Sequence, residues 1–431
     1  FNSMIEPFFF NCTPTGQYCP SRFMIPPFMP KDRMELRIAD INSIPTAAYV
    51  SARINAYLSS PKSRLAFEAE EYYNSNNLEI LKKQKGYFNR AGQFVKSKLK
   101  TSRIAHPIFR TIVNKKANMG MSKPVLVNVN DENIAKLLPN YFNKKFSQKL
   151  CALAKKAYIY GKSWLLAEYD KDGKLSFRMV DGLQVIDTWT DTDHDNLANL
   201  SEIIWFGTSE IINDKGVLVV EKFAKVYREG LIYLYKSLQG FESLSYVSTT
   251  PIMTMVQSEN IEDQEVSVTV PTSWNFLPWI PFTAYTDELS LIKPLKPMID
   301  AYDETSSDDH DLLQEIPNVV HVFKGYGESD PDLASQRINE TRTVFLSTDG
   351  SYTTVKPDVD LTQSEIHLNR LNNDLYDSAS AVDSSKISLG TVSGIAIKLR
   401  YQDAIFDAQE LCTCFGTSLD MLIPFILSDL K

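Results

Sequence analysis

Apolar residues recur at helical spacing from position 47 onward: Tyr49, Ala52, Ile54 and Leu58, then Leu65, Ala69 and Tyr72, with Ser60-Pro61 between the two sets. A proline disfavours helical geometry in the residue before it, so two helices meeting at that dipeptide are predicted. Helical patterns follow through Ile104, Ile108, Ile112 and Val113 and over residues 133–160. The period then changes to two. Residues 164–169, 175–180, 184–190, 203–206, 217–227 and 231–236 read as strands, with Asp172-Gly173 and Glu229-Gly230 placed to turn hairpins. A polar connection at 257–264 leads to a strand at 266–270, and Pro278 and Pro281 close an α+β body.

Beyond Tyr285 the order becomes helix, brief β, helix. Pro297 suits the first turn of a helix over 297–314 that carries Ile299, Tyr302, Leu312 and Leu313, and Pro317 ends it. Residues 319–323, 343–347 and 352–355 are strands of a small insert turning at Asp349-Gly350. Leu361, Leu368, Leu371, Leu375, Ser378 and Val382 then keep the spacing of a helix packed along a neighbour, antiparallel to the first. A small loop bearing Gly390 and Gly394 feeds a long apolar helix through Ile397, Tyr401, Ile405, Ala408, Cys412, Phe415 and Leu419, which Pro424 kinks or ends. The first 30 or so residues, rich in Pro and Phe, read as an irregular arm.

Composition narrows the choice. The 431 residues are 43% hydrophobic and 23% charged with a formal net charge of −8, which excludes disorder along the whole chain. No apolar run reaches the roughly 18 residues of a membrane span, so no membrane partner is expected. No basic leader precedes Phe8-Phe9-Phe10, and secretion is not expected. Cys12, Cys19, Cys151, Cys412 and Cys414 are scattered and odd in number, as for free thiols of a reducing compartment. The acidic balance excludes tight, salt-sensitive nucleic-acid binding, which depends on neutralising phosphates. The basic stretch from Lys82 to Arg103 reads as a solvated loop.

Candidate chemistry is sparse. Gly161-Lys162-Ser163 lacks the earlier glycine of a phosphate loop, since Lys156 stands there. Asp191, Asp193, Asp195, Asn196 and Glu202 fall on positions one, three, five, six and twelve of a calcium loop, against the alternative of a polar hairpin turn. These acids supply the runner-up function, a metal-dependent hydrolase or nuclease using Asp191, Asp193 and Asp195. The histidines are dispersed, and Cys412 and Cys414 read as packed thiols. Asp303, Glu304, Asp308, Asp309 and Asp311 read as a solvated acidic face rather than a carboxylate active site. Neither an enzyme nor a cofactor is expected.

Residues 289–308 (LSLIKPLKPMIDAYDETSSD) resemble the stem-entering helix of the portal proteins of tailed bacteriophages of the long-tailed type. In the same order, residues 71–74 (EYYN), 157–163 (AYIYGKS), 174–180 (KLSFRMV), 371–376 (LNNDLY) and 392–398 (VSGIAIK) resemble further segments of that family. The resemblance implies an α+β portal fold: an N-terminal arm at 1–35, a mixed wing at 36–285, stem helices at 286–317 and 361–384, and a small clip at 318–360. A tunnel loop at 385–394 and a long kinked spine helix at 395–431 would complete it, with a short or absent crown. It implies a dodecameric ring at one capsid vertex that conducts double-stranded DNA without reading its sequence. Its partners would be the terminase large subunit, a head-completion adaptor, and the major capsid and scaffolding proteins. The particle would be assembled in the host cytoplasm and the protein carried in the virion. The implied tunnel-loop residues are Lys386, Ser388, Gly390, Thr391, Ser393 and Gly394. Asp303, Asp308 and Asp311 would line the stem channel, where an acidic wall repels phosphate.

Overall fold

Thr46 and Ser60 accept hydrogen bonds from the backbone N–H of Tyr49 (3.2 Å) and Ser63 (3.1 Å). These caps start α1 (Ala47–Leu58) and α2 (Pro61–Tyr73), the two helices that Ser60-Pro61 predicts. The computed structural model describes residues 9–12, 44–88, 92–96, 101–129, 132–170, 173–212, 216–257, 267–271, 274–315, 320–324, 350–355, 361–383 and 401–430. Two compact units interleave along the chain: Phe1–Asn74, Pro107–Leu295 and Tyr376–Lys431 form the first, Ser75–His106 and Lys296–Leu375 the second.

In the first unit, β1 (Phe9–Cys12) lies inside the segment expected to be irregular. The second unit opens with the short α3 (Leu78–Lys82) and the hairpin β2 (Gly86–Phe88) and β3 (Phe94–Lys96). Back in the first unit come α4 (Ile108–Met121) and β4 (Leu126–Val129), the latter paired in parallel with β1. The helix expected over 133–160 is divided into α5 (Glu132–Tyr141) and α6 (Lys144–Tyr160). Asn143 divides it by capping the Phe146 N–H at 3.1 Å.

The strands that follow are β5 (Lys162–Tyr169), β6 (Leu175–Val180), β7 (Val185–Trp189), β8 (Leu200–Ile212), β9 (Leu218–Arg228) and β10 (Leu231–Ser237). Glu229 and Gly230 both adopt positive φ, 51° and 80°, as the turn between β9 and β10 requires. Four more strands were not predicted in full: β11 (Ser245–Pro251), β12 (Met253–Gln257), β13 (Ser267–Pro271) and β14 (Trp279–Thr283). Only β13 was expected. At the end of the body, where Pro278 and Pro281 were expected to close it, stands β14, in which Pro281 sits opposite Trp164. In the order β14-β5-β6 this strand is an edge, where a residue lacking an N–H is tolerated.

The five-stranded sheet β11-β10-β9-β8-β7 buries Ile204, Phe206, Val226, Tyr233 and Tyr235 under Val50 and Ile54 of α1. The final helix, α9 (Gln402–Asp429), runs on through Pro424, because Phe425 and Ile426 behind it are buried. Burial there outweighs the lost backbone hydrogen bond. Phe415 of α9 meets Phe282 of β14 at 4.9 Å between ring centroids. α9 also approaches α4 so closely that a Cβ on Gly120 would meet Leu411 at 2.7 Å, and the Cys412 thiol donates to the Gly120 carbonyl at 3.5 Å.

The second unit is built around α7 (Ile292–Glu315), the hairpin β15 (Val320–Lys324) and β16 (Ser351–Val355), and α8 (Thr362–Ser378). α7 starts before Pro297, which lies inside it. Leu291, Lys293 and Pro294 at one end of α7 line a cleft with Ser378 at the last turn of α8. Ser364, in the first turn of α8, donates to Asp309 late in α7. The two helices are therefore antiparallel. The strand expected at 343–347 lies outside the described residues.

Candidate functional site

Asp303, Ser307 and Asp311 stand four residues apart on α7 and share one of its faces. All three are buried, at 0%, 0% and 2% exposure. Opposite them runs the segment 101–107, whose alternate backbone N–H groups point the same way. Ser102 donates to Asp311 (3.0 Å), Ile104 to Ser307 Oγ (3.0 Å) and His106 to Asp303 (3.0 Å). The match is geometric: two residues of extended chain advance about 6.6 Å, and four of helix about 6.0 Å. Side chains complete the ladder. His106 Nδ1 lies 2.8 Å from Asp303, the Asn77 amide donates to Asp303, and Lys85 pairs with Asp311 at 2.9 Å. Lys83 reaches both Asp308 (2.8 Å) and the Glu304 carbonyl (3.1 Å). Burial would raise the Asp311 pKa, but the hydrogen bond from Ser102 and the Lys85 ammonium outweigh it and hold the carboxyl below the usual range.

This arrangement corrects two expectations. Asp303 and Asp311 are not part of a solvated face, although Glu304 is. Lys83 and Lys85 are not free in a solvated loop either, since each holds a carboxylate of α7. The acidic run and the basic run that looked like separate solvated stretches are partners within one unit.

α8 is different. Its 17 residues bury only Leu375; Ile366 is 58% exposed, and Leu368 and Leu371 are half-buried. On α7, Leu312 and Leu313 are also exposed. The residues expected in a tunnel loop, Lys386, Ser388, Gly390, Thr391, Ser393 and Gly394, lie outside the described residues.

The candidate metal ligands do not converge. Glu202 is buried in β8 and engaged by Arg228 (2.6 Å) and the Tyr49 hydroxyl (2.8 Å). Asp191 accepts from the Asn199 amide at 2.5 Å, and Asp193 and Asp195 are exposed. The left-handed residue of the turn is His194 (φ 55°), whereas Asn196, at the turn-glycine position, has φ −127° and caps the Ala198 N–H. A calcium loop needs its sharp turn at that sixth position, so this one has the wrong backbone. Among the described residues no group of three or more His, Cys, Asp or Glu is placed to hold a metal ion.

Lys162 has no ammonium to offer a phosphate. It is buried, 2.8 Å from Asp187 and 2.5 Å from Glu288, which also accepts from Lys62 (3.0 Å) and faces His194 Nδ1 at 2.7 Å. Burial alone would raise the Glu288 pKa, but Lys162, Lys62 and His194 hold it down to about 2. Gly161 (φ 84°) ends α6, and a Cβ there would collide with the Glu288 carbonyl. Sequence reading missed a second buried cation, Lys116. Its signal was a lysine within the apolar stripe of Ile112, Val113 and Ala117.

With this geometry in place, comparison with known proteins is informative. Residues 62–431 match the family model described as phage portal protein, SPP1 Gp6-like. The chain is similar to the portal protein of Bacillus phage SPP1, with 24% identity over 324 residues that cover 74% of this chain and 60% of that protein. It is also similar to the portal protein of Clostridium phage phiCD119, with 22% identity over 401 residues, 87% of this chain and 82% of that one. The matched region thus spans about 60% of the length of the SPP1 relative.

Proposed function

This chain belongs to the SPP1 Gp6-like family of phage portal proteins, and from that premise we propose that it is the subunit of a dodecameric ring at one capsid vertex. The ring's channel passes double-stranded DNA during packaging and ejection, and its exposed end docks the terminase large subunit and later a head-completion adaptor. Capsid and scaffolding proteins surround it during assembly in the host cytoplasm.

The observation that carries this reading is α8. A helix of 17 residues that buries one side chain in its own subunit lacks the packing that normally holds a helix together in water. A neighbouring copy supplies that packing in a ring. Closed rings repeat one heterologous contact, so an uncovered helix beside the exposed Leu312 and Leu313 of α7 is a suitable surface for it. Charge supports the same reading. Copies carrying −8 each make an acidic body along which a polyanion slides without being trapped. Of the three acids expected along the channel, Asp303 and Asp311 are buried in the subunit and fix the helix, which leaves the channel-facing role to the half-exposed Asp308 beside Lys83. Residues 385–394, including Lys386, Ser388, Gly390, Thr391, Ser393 and Gly394, border the DNA path and touch it independently of sequence.

Negative-stain imaging of the purified chain tests this. Rings with a central hole wider than a B-form duplex and symmetry near twelvefold are expected. A protein that stays monomeric at all concentrations overturns the reading.

A further inference from the structure

Lys116 projects from the buried face of α4 and is 3% exposed. Its ammonium lies 2.6 Å from an Asp407 carboxylate oxygen in α9 and donates to the Ala379 carbonyl, just past the end of α8, at 2.5 Å. Asp407 also accepts from the hydroxyls of Tyr285 (2.9 Å) and Tyr158 (3.2 Å). The rings of those tyrosines stand 5.8 Å and 5.4 Å from the same ammonium. The adjacent Lys115 donates to the Val382 carbonyl at 3.0 Å and stands over the Tyr376 ring at 4.9 Å.

Apolar packing joins α4 to α9 further along, at Gly120 and Leu411, but around Lys116 the junction is polar. Clefts of about 620 Å³ and about 390 Å³ flank it, and Asp407 borders both. Beside these clefts, the polar contacts of Lys116 are the ones that reach both the end of α8 and the start of α9. An ammonium taken out of water persists only when its partners are well placed, and here they come from two elements far apart in sequence. Ala379 precedes residues 384–400, and Asp407 follows them.

We propose that Lys116 is a staple that fastens the chain on both sides of residues 384–400 to α4, so that the end of α8 and the start of α9 cannot separate independently. A strain applied to the end of α8, which Lys115 also holds, then reaches α9 through α4, with Lys116 the cation that contacts both sides. The consequence for DNA passage rests on the portal reading, whereas the staple itself does not.

Hydrogen exchange on the full chain tests it, comparing wild type with Lys116→Met, which keeps the length of the side chain and removes the charge. Backbone amides over 379–383 and over 402–408 are expected to exchange roughly tenfold faster in the variant, together, with the five-stranded sheet unchanged. Lys116→Arg, which keeps the charge, should restore part of the protection. Faster exchange on one side only, on neither side, or equally in the sheet overturns the staple. If Lys116→Met does not fold, Asp407→Asn is read instead: it removes the counter-charge and weakens the acceptor shared by Tyr158 and Tyr285, and exchange unmoved over 379–383 and 402–408 overturns the staple. Imaging the same samples separates the two ideas. Rings whose exchange is unmoved sink the staple alone, and the two-sided response in a protein that forms no rings sinks the portal reading alone.

Discussion

α7 and α8 are adjacent polar helices that use their polarity in opposite ways. α7 turns Asp303, Ser307 and Asp311 inward, onto the N–H groups of His106, Ile104 and Ser102. α8 turns nearly everything outward and keeps only Leu375 inside. A carboxylate is therefore no guide to exposure: what decides is whether the chain supplies donors at the matching rise. An apolar residue is no guide to burial either, since Ile366 on α8 is 58% exposed. α7 is completed from within its unit, whereas α8 keeps most of its surface open among the described residues.

The largest expected effect breaks the inward half. Asp303→Ala removes the buried acceptor of the His106 N–H, leaves the buried Asn77 amide only its longer bond to the His106 carbonyl, and should cost about 3 kcal/mol in urea denaturation. A loss under about 1 kcal/mol would mean that water takes over the ladder.

Acid should act on the same face. The Asp311 carboxyl is held below its ordinary pKa, so its contribution is complete above the unfolded value and is lost as pH falls through the lower, folded one. Thermal stability should decline below about pH 4, and Asp311→Asn, which does not titrate, should start lower and decline less steeply. Equal slopes would show that other carboxylates dominate.

A smaller effect on the subunit sharpens the outward half. Ile366→Glu should shift subunit stability by no more than about 0.5 kcal/mol, yet greatly reduce ring formation in imaging or sedimentation. Rings that persist would show that another face of α8 meets the neighbour. Least of all should come from Arg370→Ala. Its 3.9 Å pair with Asp374 is exposed on both sides and should contribute less than about 0.5 kcal/mol to the melting transition.

Much of this was legible in the sequence where periodicity reports burial directly. The two helices broken at Ser60-Pro61, the hairpin at Glu229-Gly230 and the helix–β–helix order beyond Tyr285 all follow from spacing and turn chemistry. The ladder did not, because its donors are backbone N–H groups that every residue but proline possesses, and segment 101–107 has no period of its own. Only the row Asp303, Ser307, Asp311 was visible, and spacing alone reads the same for a solvated face as for a buried one. The strand at Trp279–Thr283 was not visible, because edge position, which lets Pro281 sit in it, is a property of the sheet and not of the strand. At the Asp191 turn, spacing left a calcium loop and a polar turn both open, because ligand spacing says nothing of which residue takes the left-handed conformation, here His194. Lys116 was detectable in principle as a charge in an apolar stripe, but its partners at 379 and 407 were not.

The close approach of α4 and α9 at Gly120 has a chemical consequence. Burial there pushes the Cys412 thiol up to about 11 and also raises Cys414, so neither is a thiolate at neutral pH. Air oxidation starts from the thiolate, and these sulfurs are poorly placed to begin it. The thiols of this helix are thus slow to oxidise without being tied up in a disulfide.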